Sequence, residues 1–169
     1  MTDKTHTEKL RRALFDTLDD ERTGMLGVQG SPDHMQPMTH FFDPDTQVLW
    51  FISGRDTDLV KQVKASPHKA HFTVTAGDRS LYACISGQLA QVENRAKLEE
   101  LWSPVAAMWF DGDIDDPNVA LLSMPLSEAA VWTVEAGALR FGMEMVRGAA
   151  GAHDPDLGEH GVLEFSRVA

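Results

Sequence analysis

The sequence predicts a mainly β fold, a closed or partly closed β-barrel with flanking helices. Three observations support this. Short apolar or alternating segments recur along the chain, turn-forming clusters such as "GSPD" and "DPDTQ" separate them, and the few helical patterns are interspersed among them. A parallel doubly wound sheet would need regular strand-helix alternation, which is absent. At 169 residues the chain is expected to be one domain, with an N-terminal helix in 1–20, barrel strands and helical insertions in 23–134, and a C-terminal helix or loop and last strand in 139–169.

The elements follow from local pattern. Thr5-His6-Thr7-Glu8 has capping-box spacing, and Leu10, Leu14 and Leu18 recur every four residues, so a first helix is expected from Thr7 to Leu18. Thr23 to Val28, Met38 to Phe42 and Val48 to Ile52 read as an antiparallel meander. Thr57 caps a short helix whose Leu59, Val60 and Val63 share a face, and Ser66-Pro67 ends it. Ala70 to Thr75 and Leu81 to Val92 are strands joined by "AGDRS", where Gly77 suits a tight turn. Asn94 caps a helix with Leu98, Leu101, Trp102 and Val105 spaced for one buried face, and a second helical piece extends to Phe110. Ala120 to Leu126 and Ala129 to Val134 are expected as two strands around a turn. Leu139 to Val146 is ambiguous, and Val162 to Val168 is the expected last strand.

Charge narrows the range of partners. The 26 acidic side chains against 15 basic ones give a net charge of −11, which would repel nucleic acid and anionic membranes. No apolar run reaches the roughly 18 to 20 residues that a membrane span needs. The lone Cys84 lies in the apolar run "LYACISG", which favours a reduced core thiol, and with nothing like a signal peptide at the N-terminus a cytoplasmic location is expected.

Most candidate chemistry fails on spacing. Asp111, Asp113 and Asp115 occupy positions 1, 3 and 5 of a calcium loop, but Asp116 stands where Gly is needed and Leu122 where a bidentate Glu is needed. The seven histidines show no metal-ligating spacing, and His40, alternating with Met38, reads as a hydrogen-bonded structural residue. There is no nucleophile elbow, P-loop or dinucleotide fingerprint, so no catalytic residue and no metal ligand is assigned.

The segment "LWFISGRDTDLVKQV" opens as a buried strand and closes as a capped helix. Between them Ser53 and Thr57 offer hydroxyls, and Arg55 offers a fork suited to phosphate oxygens. Asp56 and Asp58 oppose a dianion there. This turn is the candidate anion site.

The order of features resembles the general-stress-protein branch of the pyridoxamine-phosphate-oxidase-like split barrels. The matching pieces are "GMLGVQG", "QPMTHFFDPDTQVLWFISGRDTDLVKQV", "LYACISGQLAQVENRAKLEELWSPVAAMWFDGDIDDPNVALLSM", "AAVWTV" and "RFGMEMVRG", covering most of the chain to near Gly148. The resemblance implies an FMN-binding split barrel, a homodimer with FMN, or alternatively FAD, at the subunit interface. It implies that Gln36, Pro37, Met38 and Thr39 border the isoalloxazine ring, that Phe51, Ile52 and Ser53 lie beneath the flavin and ribityl chain, that Arg55 and Thr57 hold the phosphate, and that Trp109 packs from the partner subunit.

Two departures from the family pattern bear on this. The family usually has Arg where this chain has Gln36, and commonly a Lys where it has Leu59. Each lost cation removes a charge-assisted hydrogen bond of roughly 1.5 to 3 kcal/mol. Lys61 lies two residues farther along, about 200° around the helix axis, and should point elsewhere. The resemblance therefore implies a flavin-dependent oxidoreductase in redox stress physiology, unsuited to pyridoxamine-phosphate oxidation itself because a second basic phosphate site is missing. The alternative is a non-catalytic split-barrel dimer that senses or carries a small ligand with weakened or lost flavin binding; haem or deazaflavin is a third option.

Overall fold

The computed structural model describes residues 4–111, 113–134 and 158–166, and contains among them eight strands and four helices. The elements are α1 (Lys4–Asp20), β1 (Thr23–Val28), β2 (Gln36–Thr39), β3 (Phe41–Asp43), β4 (Val48–Gly54), α2 (Asp58–Val63), β5 (His68–Thr75), β6 (Leu81–Val92), α3 (Arg95–Leu101), α4 (Pro104–Ala107), β7 (Val119–Thr133) and β8 (His160–Glu164). All strand pairs are antiparallel, in the order β2-β1-β5-β6-β7-β4-β3, with β8 also paired to β7. The sheet curls so that β2, at one end, approaches β4, near the other. The result is an antiparallel β half-barrel with flanking helices, the split-barrel fold.

The inside of the curl is the core. In β4, Leu49, Phe51 and Ser53 point inward while Val48, Trp50 and Ile52 alternate outward, as a strand period of two requires. Phe51 and Phe72 meet at 5.5 Å between ring centroids, with Leu26, Ile85, Leu89, Leu122 and Met124 around them. The α1 stripe of Leu10, Leu14 and Leu18 packs onto this core, and Leu59, Val60 and Val63 of α2 join it. Burying a Leu side chain contributes about 1.5–3 kcal/mol, so these two stripes suffice to dock both helices.

Several elements differ from the sequence reading. The first helix already includes Thr5, so the Thr5 capping box does not mark its start. The expected strand from Met38 to Phe42 is divided at His40 into β2, which pairs with β1 up to Thr39, and β3, which pairs with β4 from Phe41; the buried His40 ring between them has Nε2 2.9 Å from the Leu18 carbonyl oxygen near the end of α1. In the β5–β6 turn the left-handed residue is Arg79, at φ 62°, and not Gly77, whose amide instead donates to Glu21 Oε1. The expected turn near 127 is absent. β7 runs unbroken, and the irregularity is a register shift opposite, between Ser86 and Gly87. A Cβ on Gly87 would meet the Pro125 carbonyl oxygen and the Met124 side chain at 2.8 Å, so close backbone approach requires glycine there.

Two burial expectations are also corrected. Cys84 is not core: in β6 it alternates with the buried Ala83 and Ile85, so it lies half-buried on the outer face, where desolvation raises its thiol pKa. No residue of α3 or α4 is buried, since this segment lies on the outside of the sheet, and Val105, Met108 and Trp109 are exposed. The Asn94 and Thr57 caps form as expected, and Ser103, not expected as a cap, also caps α4; each side chain accepts an amide of its helix. Leu139 to Val146 and the end of the last expected strand lie outside the described residues, and β8 accounts for its first part. No described helix is long and apolar enough to cross a membrane.

Candidate anion site at the β4–α2 turn

The polar turn sits where β4 leaves the sheet and α2 begins. Its position is fixed by the β4–β7 ladder, which runs from Val48↔Pro125 to Gly54↔Val119 and delivers Asn118 beside Arg55. Asn118 then holds the turn three ways. Its carbonyl oxygen accepts the Arg55 amide at 2.7 Å, its Oδ1 accepts the Asp56 amide at 3.2 Å, and its Nδ2 donates to Asp56 Oδ1 at 3.0 Å. Asn118 is itself oriented by its amide, which donates to Asp116 Oδ1 at 2.8 Å. A Cβ at Gly54 would come 2.6 Å from Asp56 Oδ1 and 3.1 Å from Asn118 Nδ2, so the bracket closes only over glycine.

Within the turn most donors are already used. The Thr57 hydroxyl donates to the Gly54 carbonyl oxygen at 2.8 Å and accepts the Val60 amide at 3.3 Å. Its single proton is thereby committed, so in the 3.4 Å contact between Ser53 Oγ and Thr57 Oγ1 the donor is Ser53. The Thr57 amide donates to Gly54 at 3.2 Å. Arg55 donates Nε to the Val119 carbonyl oxygen at 2.9 Å and Nη2 to Glu93 Oε1 at 3.0 Å. Among the described residues Nη1 has no partner, so the outer edge of the guanidinium is the turn's uncommitted donor set.

The other residues singled out from sequence fall into two groups. Met38 and Phe51 are buried core side chains on β2 and β4, so only their backbones are open to a ligand. Ser53 is 8% exposed, at the inner end of β4. Gln36 is half-buried, with Nε2 3.6 Å from Met38 Sδ, while Pro37 and Thr39 are exposed along β2 and Ile52 is half-buried on the outer side of β4. The curl of the sheet brings β2, which carries 36–39, into contact with β4, which carries 51–53. Trp109 stands apart, just past α4 and 81% exposed.

The two departures also acquire a structural setting. Leu59 is a packed residue, 6% exposed, on the core side of α2. Lys61 points away to solvent and pairs with Asp58 at 3.2 Å. Sequence reading missed Glu93 and Asn118. Neither is assigned a role from sequence; only the pairing of β4 with β7, and of Val92 with Leu121, brings them to Arg55. That loop uses its carboxylates locally, with Asp113 Oδ1 accepting the Asp115 amide and Asp115 pairing with Arg95. Among the described residues no group of His, Cys, Asp and Glu has metal-binding geometry.

Residues 9–156 match the family described as pyridoxamine 5'-phosphate oxidase like. The chain belongs to this family. Within it, the solved structure of a general stress protein 26 from Jannaschia sp. CCS1 is 37% identical, with 94% of this chain and 99% of that one covered at a TM-score of 0.79. A general stress family protein from Xanthomonas campestris is 29% identical over 81% of this chain and 93% of that one, TM-score 0.71. The general stress FMN/FAD binding protein from the phytopathogen Xanthomonas citri is 30% identical over 77% and 92%, also at 0.71. No curated protein matches the chain. The general-stress branch of this pyridoxamine-phosphate-oxidase-like family is thus where the sequence and the fold both place it.

Proposed function

We infer that this family member is a flavin-binding general stress protein, a homodimer of one-domain chains that holds FMN or FAD with its phosphate on the β4–α2 turn. The observation that carries this reading is Arg55. Its guanidinium is oriented by the Val119 carbonyl and touches Glu93, while Nη1 has no partner among the described residues; the Ser53 hydroxyl and the Thr57 cap belong to the same turn. Such a pre-oriented fork suits phosphate oxygens. Similarity to the Xanthomonas citri FMN/FAD binding protein supports the same ligand class.

When bound, the flavin would supply the electron-transfer chemistry. The chain's own part is to bind and orient. Arg55 would hold the phosphate, with Thr57 setting the start of α2 and Ser53 lying next to it. The backbones of Phe51 and Ile52 would lie below the ribityl chain, and Gln36 to Thr39 would border the ring. Trp109, exposed in the single chain, would pack from the partner subunit. No residue of the turn is an acid, base or nucleophile placed for a substrate, so any oxidoreductase activity would take its chemistry from the flavin.

A spectrum of freshly purified protein is expected to show flavin bands, or the protein to acquire them on adding FMN, with quenching of flavin fluorescence. Arg55→Ala should weaken that titration, and size-exclusion chromatography with light scattering should give twice the chain mass. A second reading, a non-catalytic dimer with weakened flavin binding, draws support from Leu59, whose packing in the core leaves no second cation at the turn. No spectral change at saturating FMN would favour it.

A further inference from the structure

Glu93 is the feature of the Arg55 site that phosphate binding does not explain. It follows the last residue of β6, and because Val92 pairs with Leu121 while Gly54 pairs with Val119, the β6–β7–β4 ladder carries its carboxylate to the guanidinium. Glu93 Oε1 accepts from Arg55 Nη2 at 3.0 Å and from Gln91 Nε2 at 3.4 Å. A residue serving only to bind phosphate would not be improved by a carboxylate 3.0 Å away.

The surroundings carry the same sign. Asp56 and Asp58 lie in the turn, and Lys61 is taken up by Asp58 at 3.2 Å. Two cations therefore meet three carboxylates. A phosphomonoester brings about −1.5 to −2 charges at neutral pH. The pyrophosphate of FAD spreads its two charges over two phosphorus atoms, so the one at the turn brings only one.

Resting on the flavin reading above, we propose that Glu93 is the specificity-determining residue of this site: by offsetting the charge of Arg55 it shifts the turn's preference away from a dianionic phosphomonoester, as in FMN, towards a pyrophosphate diester, as in FAD, whose two phosphates carry one charge each. Arg55 keeps its orientation through the Val119 carbonyl, so removing the Glu93 charge frees the guanidinium without displacing it.

The test is a set of fluorescence-quenching titrations of the full chain with FMN, FAD and riboflavin at low ionic strength, comparing the unmodified protein with Glu93→Gln and Glu93→Ala. Glu93 is a largely exposed side chain, and unchanged thermal midpoints would confirm folding. Both variants should bind FMN roughly two- to fivefold more tightly, a range set by a solvent-screened pair. FAD should gain less, and riboflavin, which has no phosphate, nothing. An FMN affinity that is unchanged or weaker in both variants, with the unmodified protein binding FMN, overturns the proposal and leaves the flavin reading standing. An equal gain for riboflavin also overturns it, since charge at the phosphate would then not be the cause. If neither the unmodified protein nor the variants bind any of the three, the flavin reading falls and takes this inference with it.

Discussion

Asn118 and Asp56, far apart in sequence, form a closed two-bond bracket, Nδ2 to Oδ1 at 3.0 Å and Oδ1 from the Asp56 amide at 3.2 Å. This bracket, rather than the turn's own residues, sets where Arg55 stands. Asn118→Ala leaves the Asp56 amide without its acceptor and should cost about 1–2 kcal/mol in urea denaturation. Asn118→Asp should cost more, because a second carboxylate would face Asp56. Equal stability of all three proteins would show that the bracket carries no energy.

His40 predicts a pH dependence. The ring is buried, and desolvation is the main reason its pKa lies below the ordinary value; Nε2 bonds the Leu18 carbonyl, while Nδ1 is buried with no partner. The unfolded chain therefore takes up this proton more readily than the folded one. The contribution is complete above about pH 6.5, the ordinary histidine value, and is lost as pH falls from there through the lowered folded value. Thermal midpoints measured from pH 8 to pH 5 should fall, and His40→Gln, which can keep a donor to Leu18 but cannot titrate, should flatten that part of the curve.

On α2, position and not charge decides what matters. Leu59→Ala removes a packed side chain and should cost about 2–4 kcal/mol. Lys61→Ala, on the solvent side, should change stability by less than about 0.5 kcal/mol. The same denaturation series measures both, and comparable losses would contradict the orientation of the helix.

At the register shift, Gly87→Ala would drive a methyl group against the Pro125 carbonyl oxygen on the neighbouring strand. A loss of about 2 kcal/mol or more is expected, because backbone on both sides must move. Gly30→Ala serves as a contrast: its cost comes from φ 79° and not from crowding, since nothing lies near its missing Cβ, and should be about 1 kcal/mol.

Where side-chain period and capping chemistry are local, the sequence was readable. The Leu10-Leu14-Leu18 stripe, the alternation of β4, and the Thr57 and Asn94 caps all depend on residues within a few positions of each other. Long-range pairing was not readable in this way. The unbroken β7 reads in sequence as two strands, Ala120 to Leu126 and Ala129 to Val134, around a turn, yet Leu126 donates to the Gln47 carbonyl and Phe165 to that of Ser127, so partners distant in sequence satisfy the backbone there. His40 dividing a strand and Cys84 facing outward were hidden for the same reason: which way a side chain points is settled by what arrives opposite. At the candidate site, Ser53, Arg55 and Thr57 could be picked out as one local motif, whereas Glu93 and Asn118 become their neighbours only through strand register.

Along one side of β7 two strands are laid end to end, β4 against 119–125 and β8 against 128–132. The rail is continuous but its covering is made in two pieces, and the second comes from a strand that follows β7 in the chain. Until β8 docks, the 128–132 part of the rail stands open to any passing strand. Chains in which the 160–164 segment is kept from pairing should be the ones that cling to one another.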